Sequence, residues 1–120
     1  MSSKTFTVQI GNSDDKLTQK EWSNFVRDLE RDFGKLMSEV HFSGSSPSNA
    51  MWQNFCMVAV VDEVYIRAGL GWESFREYID YAIKPTLAVL CQRYKQDSIA
   101  LTIGETVFIE ERDRDPHARR

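Results

Sequence analysis

Polar and apolar residues alternate near the start of the chain, where Phe6, Val8 and Ile10 are separated by threonine and glutamine. A period of two predicts a strand that is buried on one face. The turn-forming residues at positions 11–15 follow it and predict where the strand ends. The first strand therefore leads into a short polar loop.

An amphipathic helix is predicted after this loop. Thr18 and Glu21 have the spacing of a capping box, in which each side chain bonds the backbone of the other residue. The apolar residues that follow share one face of a helix, namely Trp22, Phe25, Val26, Leu29, Phe33, Leu36 and Met37. Charged residues, Asp28 among them, are expected on the opposite side.

The middle of the chain predicts two more strands. Val40 and Phe42 mark a short one. The small residues from Ser43 to Asn49 predict a loop that does not hold a strand. The run from Trp52 to Val61 is apolar at nearly every position, which favours a central strand that is apolar on both faces.

Helical periodicity returns from Trp72 to Tyr94, with Pro85 inside it. Either one helix kinks at this proline, or a second helix begins there. Alternation from Ile99 to Ile103 then predicts a strand, and it recurs at Val107 and Ile109. The intervening Gly-Glu pair is typical of a hairpin turn or of a bulge in one long strand.

The predicted order is strand, helix, strand, strand, helix, strand, which is the order of a split βαβ sandwich. We therefore expect an α+β protein with a ferredoxin-like βαββαβ fold, in which two helices cover one face of the sheet. An additional C-terminal strand is a variant of this expectation. Residues 1–111 are expected to form a single domain, and residues 112–120 a polar, charged tail.

Composition narrows the function classes. The 120 residues carry a formal net charge of −3, which argues against a protein whose main partner is nucleic acid. No apolar run is long enough to cross a membrane, and the first residues lack a secretion signal. Cys56 and Cys91 lie in apolar runs and are expected to be free thiols in the cytoplasm. The spacing of cysteines and histidines predicts no metal site, and no cofactor motif occurs.

Following the chain direction through the expected fold brings three polar segments to one end of the sheet. They are the loop after the first strand, the start of the third strand, and the turn after the second helix. The ligand-binding residues predicted there are Asn12, Ser13, Asp14, Asp15, Lys16, Trp52, Gln53, Asn54, Arg93, Tyr94, Gln96, Asp97 and Ser98. Such a mixture of amides, hydroxyls and charges beside apolar residues is typical of a site for a small polar ligand.

The same residues permit a simpler interpretation. Asn, Ser and Asp before a helix form good N-terminal turns without any ligand. If a ligand does bind, the free N–H groups of the helix, Lys16 and Arg93 favour phosphate, and Trp52 or Tyr94 could stack a base. The carboxylates of the cluster, such as Asp97, count against a polyanion.

The third strand also suggests a partner. Cys56, Val58 and Val60 alternate with Phe55, Met57, Ala59 and Val61, so both of its faces are apolar. A two-layer sandwich covers only one face, and an apolar open face favours a homo-oligomer. The C-terminal strand or residues 62–71 of the same chain could also cover this face. A host protein is the other partner considered, and a charge at an open-face residue such as Met57 should break the interaction with it.

Three short blocks resemble a group of small uncharacterised proteins of actinobacteria and their phages. They are Ile10 to Gln19 with the following Glu-Trp pair, the Trp-Gln-Asn sequence from Trp52, and the segment from Tyr94 to Ala100. The chain departs from that group at residues 62–83, which are longer than expected. The resemblance brings no known activity. It implies a bacterial or phage cytoplasmic setting in which the three blocks act as a set.

We therefore expect a non-catalytic protein that binds a small ligand. Sequestration of a nucleotide-type signal used in host defence is the specific form of that expectation. The alternative is an interaction module or inhibitor that acts through the open sheet face. A small enzyme that uses Asp14, Asp15 and Asp97 is a third hypothesis, although no nucleophile with a neighbouring base is recognisable.

Overall fold

A computed structural model of the chain describes residues 3–12, 16–47 and 53–117. The strands are β1 (Ser3–Gly11), β2 (Glu39–Ser45), β3 (Asn54–Asp62) and β4 (Ala100–Glu105). The α-helices are α1 (Gln19–Gly34), α2 (Phe75–Tyr78) and α3 (Lys84–Arg93), with π-helical turns at Tyr65–Gly69 and Ile79–Ile83 and a 3-10 turn at Glu111–Arg114. The protein is thus an α+β protein, as predicted.

The strands form one antiparallel sheet in the order β2-β3-β1-β4. β1 lies at the centre, and its register places Gln9 opposite both Cys56 on β3 and Ala100 on β4. β2 and β4 are the edges among the described strands. Because side chains alternate along a strand, this register assigns each residue to one of the two sheet faces.

One face of the sheet packs against the helices. Its buried residues include Phe6 and Val8 of β1 and Phe55, Met57 and Val61 of β3. The cluster continues through α1, the π turn after β3, and the helical region that follows. The prediction that Met57 faces the open side was therefore wrong, since this side chain is fully buried beneath the helices.

The other face, called here the open face, carries Cys56 and Val58 of β3, which are half-buried. On β1 it carries Thr5, Thr7 and Gln9, which the register places beside them. The open face is therefore apolar along β3 and polar along β1. The predicted two-sided strand exists. Its β1 neighbours on the open side are hydrophilic, whereas Phe42 of β2 lies opposite Val58.

Helix α1 begins as the sequence predicts. The Thr18 side chain accepts from the Glu21 N–H at 3.2 Å, and the Glu21 carboxylate accepts from the Thr18 N–H at 2.9 Å. The predicted apolar face is buried or half-buried along its length. The exception is Asp28, which was expected on the opposite side and is instead only 6% exposed.

The second helical region runs without interruption from α2 through a π turn into α3. Pro85 has no N–H and would clash with the carbonyl of the residue four positions earlier in a regular α-helix. The preceding turn is instead widened, and the Lys84 N–H bonds the carbonyl of Ile79, five residues back. Each alternative at Pro85 holds in part. The helical path is continuous, and Pro85 lies in the first turn of α3. Trp72 precedes this path rather than belonging to it.

Two loop predictions need correction. Residues 43–45 were expected in a loop, but β2 extends through Ser45 after a register shift between Val40 and Phe42. Pairing with β3 holds these residues in the sheet, because small residues have little strand preference of their own. At the C-terminus, Gly104 lies within β4, and residues 106–110 form no additional strand.

The single-domain boundary at residue 111 stays a prediction. No helix in the described ranges is both long and apolar enough to span a membrane.

The end of α3 is a Schellman motif, a helix-ending turn with a left-handed residue. The Gln96 N–H bonds the carbonyl of Cys91 at 2.8 Å, and the Lys95 N–H approaches that of Gln92 at 3.4 Å. Lys95 holds the left-handed position, with φ of 54°. Glycine usually occupies this position because a Cβ is strained there.

We expect Lys95→Gly to raise the free energy of unfolding by roughly 0.5–1 kcal/mol, since it removes the left-handed strain at some cost in chain entropy. Urea unfolding followed by circular dichroism measures the change. Lys95→Ala is the matched control, because it removes the charge and keeps the Cβ. Equal stability of the glycine and alanine variants would contradict the strain argument.

Candidate functional site

A cavity of about 540 Å³ lies on the open face at the end of the sheet where β1 ends and β3 begins. The residues that line it come from all four strands and from the turn after α3. They are Gln9, Ile10, Gly11, Gly44, Ser46, Asn54, Phe55, Cys56, Gln96, Ser98 and Ala100. The predicted end of the sheet therefore does hold a cavity in the described part of the chain.

Small residues in adjacent strands form the floor of this cavity. The sheet register aligns Gly44, Cys56, Gln9 and Ala100 in one row across the four strands. Two positions further along β1, on the same face, a Cβ on Gly11 would lie 2.9 Å from the side-chain oxygen of Asn54. Glycine at this position thus leaves the room that the Asn54 carboxamide occupies.

The described polar residues that line the cavity are neutral. Carboxamides are contributed by Gln9, Asn54 and Gln96, and hydroxyls by Ser46 and Ser98. The Ser46 hydroxyl accepts from the Asn54 backbone N–H at 3.0 Å, and the Gln96 amide donates to the Tyr94 carbonyl at 3.0 Å. Each carboxamide offers both donors and an acceptor, so the described lining presents several hydrogen-bonding groups without a formal charge.

Two of the predicted ligand residues instead stabilise the loop after β1. Asn12 is only 3% exposed. Its side chain accepts from the Leu17 N–H at 3.1 Å and donates to the Leu17 carbonyl at 3.0 Å and to Gln53 at 3.1 Å. Gln53 in turn donates to Gln19 on α1 at 2.7 Å. The simpler, turn-forming interpretation therefore accounts for Asn12 and Gln53.

Among the described residues, a charged pair lies beside the cavity rather than in its lining. Lys16 approaches Asp97 at 3.6 Å, and the Asp97 side chain is almost fully exposed. This pair joins the loop after β1 to the turn after α3. The structure thus brings together two of the segments that were predicted to converge.

Arg93 and Tyr94 are engaged in a different cluster, centred on the buried Asp28. The Tyr94 hydroxyl donates to Asp28, whose carboxylate also lies 3.3 Å from Arg93 and 3.2 Å from Arg31. The Tyr94 ring stacks on Phe25, with 4.8 Å between ring centroids. These contacts anchor the end of α3 to α1 and thereby position Gln96 and Ser98.

The contacts within this cluster change the pKa values of Asp28 and Tyr94. The hydrogen bond from Tyr94 is the largest cause that lowers the pKa of Asp28; burial opposes it, and the charges of Arg31 and Arg27 reinforce it. Burial is the main reason that the pKa of Tyr94 is raised, with the bond to Asp28 next. Asp28 is consequently ionised near neutral pH and acts as an anchor.

The outcome for the predicted site is divided. Asn54, Gln96 and Ser98 line the cavity, and Lys16 and Asp97 lie next to it. Ser13, Asp14, Asp15 and Trp52 fall outside the described residues. Sequence reasoning missed Gln9, Ser46 and the small residues of the floor, because only the strand register shows that they are neighbours. The alternation in β1 does place Gln9 on the polar side, which was the available signal.

Metal and thiol chemistry receive no support from the described residues. No group of three His, Cys, Asp or Glu side chains within them could hold a metal ion. Cys56, which lines the cavity, and Cys91 on α3 are both free and half-buried. Burial raises the pKa of the Cys91 thiol, which makes its thiolate scarcer at neutral pH.

Comparisons with known proteins add little to the geometry. No family model matches the chain. No curated protein matches it significantly in sequence. Among solved structures, an uncharacterized protein from Thermotoga maritima is similar, with a TM-score of 0.41 and 10% sequence identity, over 88% of this chain and 96% of that one.

We expect Asp28→Asn to lower the free energy of unfolding by about 1–3 kcal/mol at pH 7, because it weakens a buried, charge-assisted network. The folded-state pKa of Asp28 is lowered, so its contribution is present above the unfolded pKa of about 3.9. It is lost as the pH falls below that value and through the folded pKa. The stability gap between wild type and variant should therefore narrow below about pH 4.

Denaturant unfolding at a series of pH values tests this expectation. Asp97→Asn is the matched control, because that carboxylate is exposed and its ion pair should contribute less than about 1 kcal/mol. A gap for Asp28→Asn that stays constant down to pH 3 would show that the charge of Asp28 is not what stabilises the cluster.

Proposed function

We propose that this protein is a non-catalytic binding protein for a small, polar, largely uncharged group, such as the nucleoside part of a nucleotide. The observation that carries the proposal is the cavity whose described lining is uncharged, with carboxamides from Gln9, Asn54 and Gln96 around a floor of small residues. A carboxamide can donate and accept at once, and this pattern matches the edge of a purine base. The volume of about 540 Å³ falls within the range of small-molecule sites.

The phosphate part of such a ligand would lie outside the cavity. The first turn of α1 already binds the Glu21 carboxylate, and Arg93 is paired with Asp28, which argues against the phosphate contacts first expected from both. Lys16 remains beside the cavity. Its exposed pair with Asp97 is of the kind that contributes less than about 1 kcal/mol, so a phosphate could replace that carboxylate.

We also infer that the fold is of the ferredoxin-like type. Support comes from the strand order β2-β3-β1-β4 and from a core that joins the α-helices and the two π turns to one face of the sheet. In such a sandwich the open face is available for ligands. The cavity and its carboxamides lie on that face.

The biological setting proposed for the chain rests on the sequence resemblance alone. A cytoplasmic protein of a bacterium or phage that sequesters a nucleotide-type signal, and so antagonises host defence, is the specific form of the proposal. What supports sequestration over catalysis is the nature of the described lining, which offers hydrogen bonds and no charged acid or base. The carboxylate-dependent enzyme is accordingly the least favoured alternative.

Native mass spectrometry of the freshly purified protein, followed by thermal-shift assays with the common ribonucleosides and their monophosphates, tests the binding proposal. We expect a retained mass of a few hundred daltons, or a rise in melting temperature with at least one nucleoside. Asn54→Ala and Gln96→Ala should remain folded but need at least tenfold more nucleoside for the same rise in melting temperature. The reason is that each substitution removes a bidentate contact worth about 1–3 kcal/mol.

Gln92→Ala is the matched control for these variants, because it removes an exposed carboxamide that does not line the cavity. It should bind as the wild type does. If no nucleoside or nucleotide stabilises the wild-type protein and no small molecule is retained, the proposal is wrong. Equal loss in all three variants would likewise show that the effect is not specific to the cavity.

A protein-interaction module is the second candidate function, and one observation favours it. Phe42 on edge strand β2 is 56% exposed on the open face, where the register places it opposite Val58. Phe42→Asp should then abolish capture of a partner, while Thr102→Asp, on the polar side of the same face, should not. Retention of any captured partner by Phe42→Asp would eliminate this surface.

A further inference from the structure

The segment after β4 exposes three adjacent large apolar side chains. Val107, Phe108 and Ile109 are 68%, 71% and 78% exposed, and they are called here the arm. Isolated exposed apolar residues are ordinary, but a contiguous group of this size on a small protein is typical of an interaction surface. The arm is therefore the strongest unexplained apolar feature of the described chain.

The arm follows β4 at the end of the sheet. The Thr106 N–H donates to the Ser3 carbonyl at 3.2 Å, and the hydroxyls of Thr106 and Thr5 lie 2.6 Å apart. These bonds extend the ladder between β1 and β4 by one residue past Glu105. The arm thus leaves at the end of the sheet, and its three side chains are exposed there rather than packed on their own domain.

The outer side of β4 offers an edge and a groove. Within the described sheet, β4 pairs with β1 only, so its other side presents N–H and carbonyl groups to any added strand. Beside it, a groove of about 380 Å³ separates β4 from α3. The groove is lined by Lys84, Leu87, Ala88, Cys91, Ile99, Leu101 and Ile103.

We propose that the occupant of this groove is the arm of a second copy of the chain. Two copies pair their β4 edges in antiparallel fashion about a twofold axis perpendicular to the sheet. Because the strands run in opposite directions, the segment that follows β4 in one copy passes beside the start of β4 in the other. The sheet becomes continuous across the dimer, and each arm lies along its neighbour.

The alternation of side chains supports this geometry. Leu101 and Ile103 face the helices and line the groove, whereas Ala100 lines the cavity on the open face. With the same period, Val107 and Ile109 face the helical side, where they fill the second copy's groove. Phe108 faces the open side and reaches the second copy's Ser98 and Ala100 at the cavity rim.

The area involved is that of a stable dimer. An arm exposes on the order of 400 Å² of apolar side chain, given the 150–250 Å² typical of an aromatic residue. Covering two arms and the two surfaces they contact removes about 1,600 Å², the size of a standard protein interface. The contact of Phe108 with the cavity rim rests on the proposed function; the dimer itself does not.

Light scattering coupled to size exclusion, on the full chain at tens of micromolar, tests the dimer. We expect a mass near twice 13.9 kDa for the wild type and near 13.9 kDa for the double variant Val107→Asp, Ile109→Asp. Val89→Asp is the matched control, because Val89 is an exposed apolar residue of α3 outside the groove. It should remain dimeric.

A monomeric wild type, or a dimer that survives the double aspartate substitution, would overturn the proposal. Dissociation by Phe42→Asp alone would also overturn it and would assign the interface to the open face. Thermal-shift assays with ribonucleosides on the wild type test the proposed function independently of the light-scattering test of the dimer. If no nucleoside binds, the proposed contact of Phe108 with the cavity rim loses its functional meaning, and the dimer proposal is unaffected.

Disulfide trapping tests the predicted facing of the arm. In a Cys56→Ser background, Val107→Cys or Ile109→Cys should form an intermolecular disulfide with the second copy's Cys91 under mild oxidation. Phe108→Cys is the control on the opposite face and should cross-link at least tenfold less. Cross-linking at Phe108→Cys alone, or at none of the three positions, would contradict the arrangement of the arm in the groove.

Discussion

The pairing of β1 with both β3 and β4 is the constraint on which the rest of the structure depends. β1 lies between two strands that are far from it in sequence, and a slip of one residue would exchange its two faces. The buried Phe6 and Val8 resist that slip, because both would move from the core into water. The same register aligns the small residues under the cavity and, among the described strands, leaves one edge of β4 unpaired.

The turn after α3 shows how a buried charge can serve a neutral cavity. Asp28 binds Tyr94 at the end of that helix, and the turn then passes through a left-handed Lys95. Gln96 follows directly and reaches the cavity. The position of a carboxamide on the open face is thus fixed by an ionised group on the helical side, through a short and strained piece of backbone.

Much of the fold could be predicted from periodicity, and much of the site could not. The capping box at Thr18 and the strand at Ile10 are local patterns, so the sequence carries them directly. Asp28 shows the limit of such patterns. Helical spacing assigns it to the polar side of α1, but it cannot reveal Tyr94, whose hydrogen bond compensates for the burial of the carboxylate. Gly44 was assigned to a loop since its strand is stabilised by a neighbour rather than by its own propensity.

The cavity residues failed to stand out for a related reason. Gln9, Gly44 and Ala100 are ordinary in sequence, and they become a site only when three separate strand pairings align them. The arm is the reverse case, because its alternation predicted a strand that the single chain does not form. An apolar, alternating segment without a partner strand in its own sheet still carries strand periodicity. That periodicity is best explained if the missing strand partner belongs to another copy of the chain.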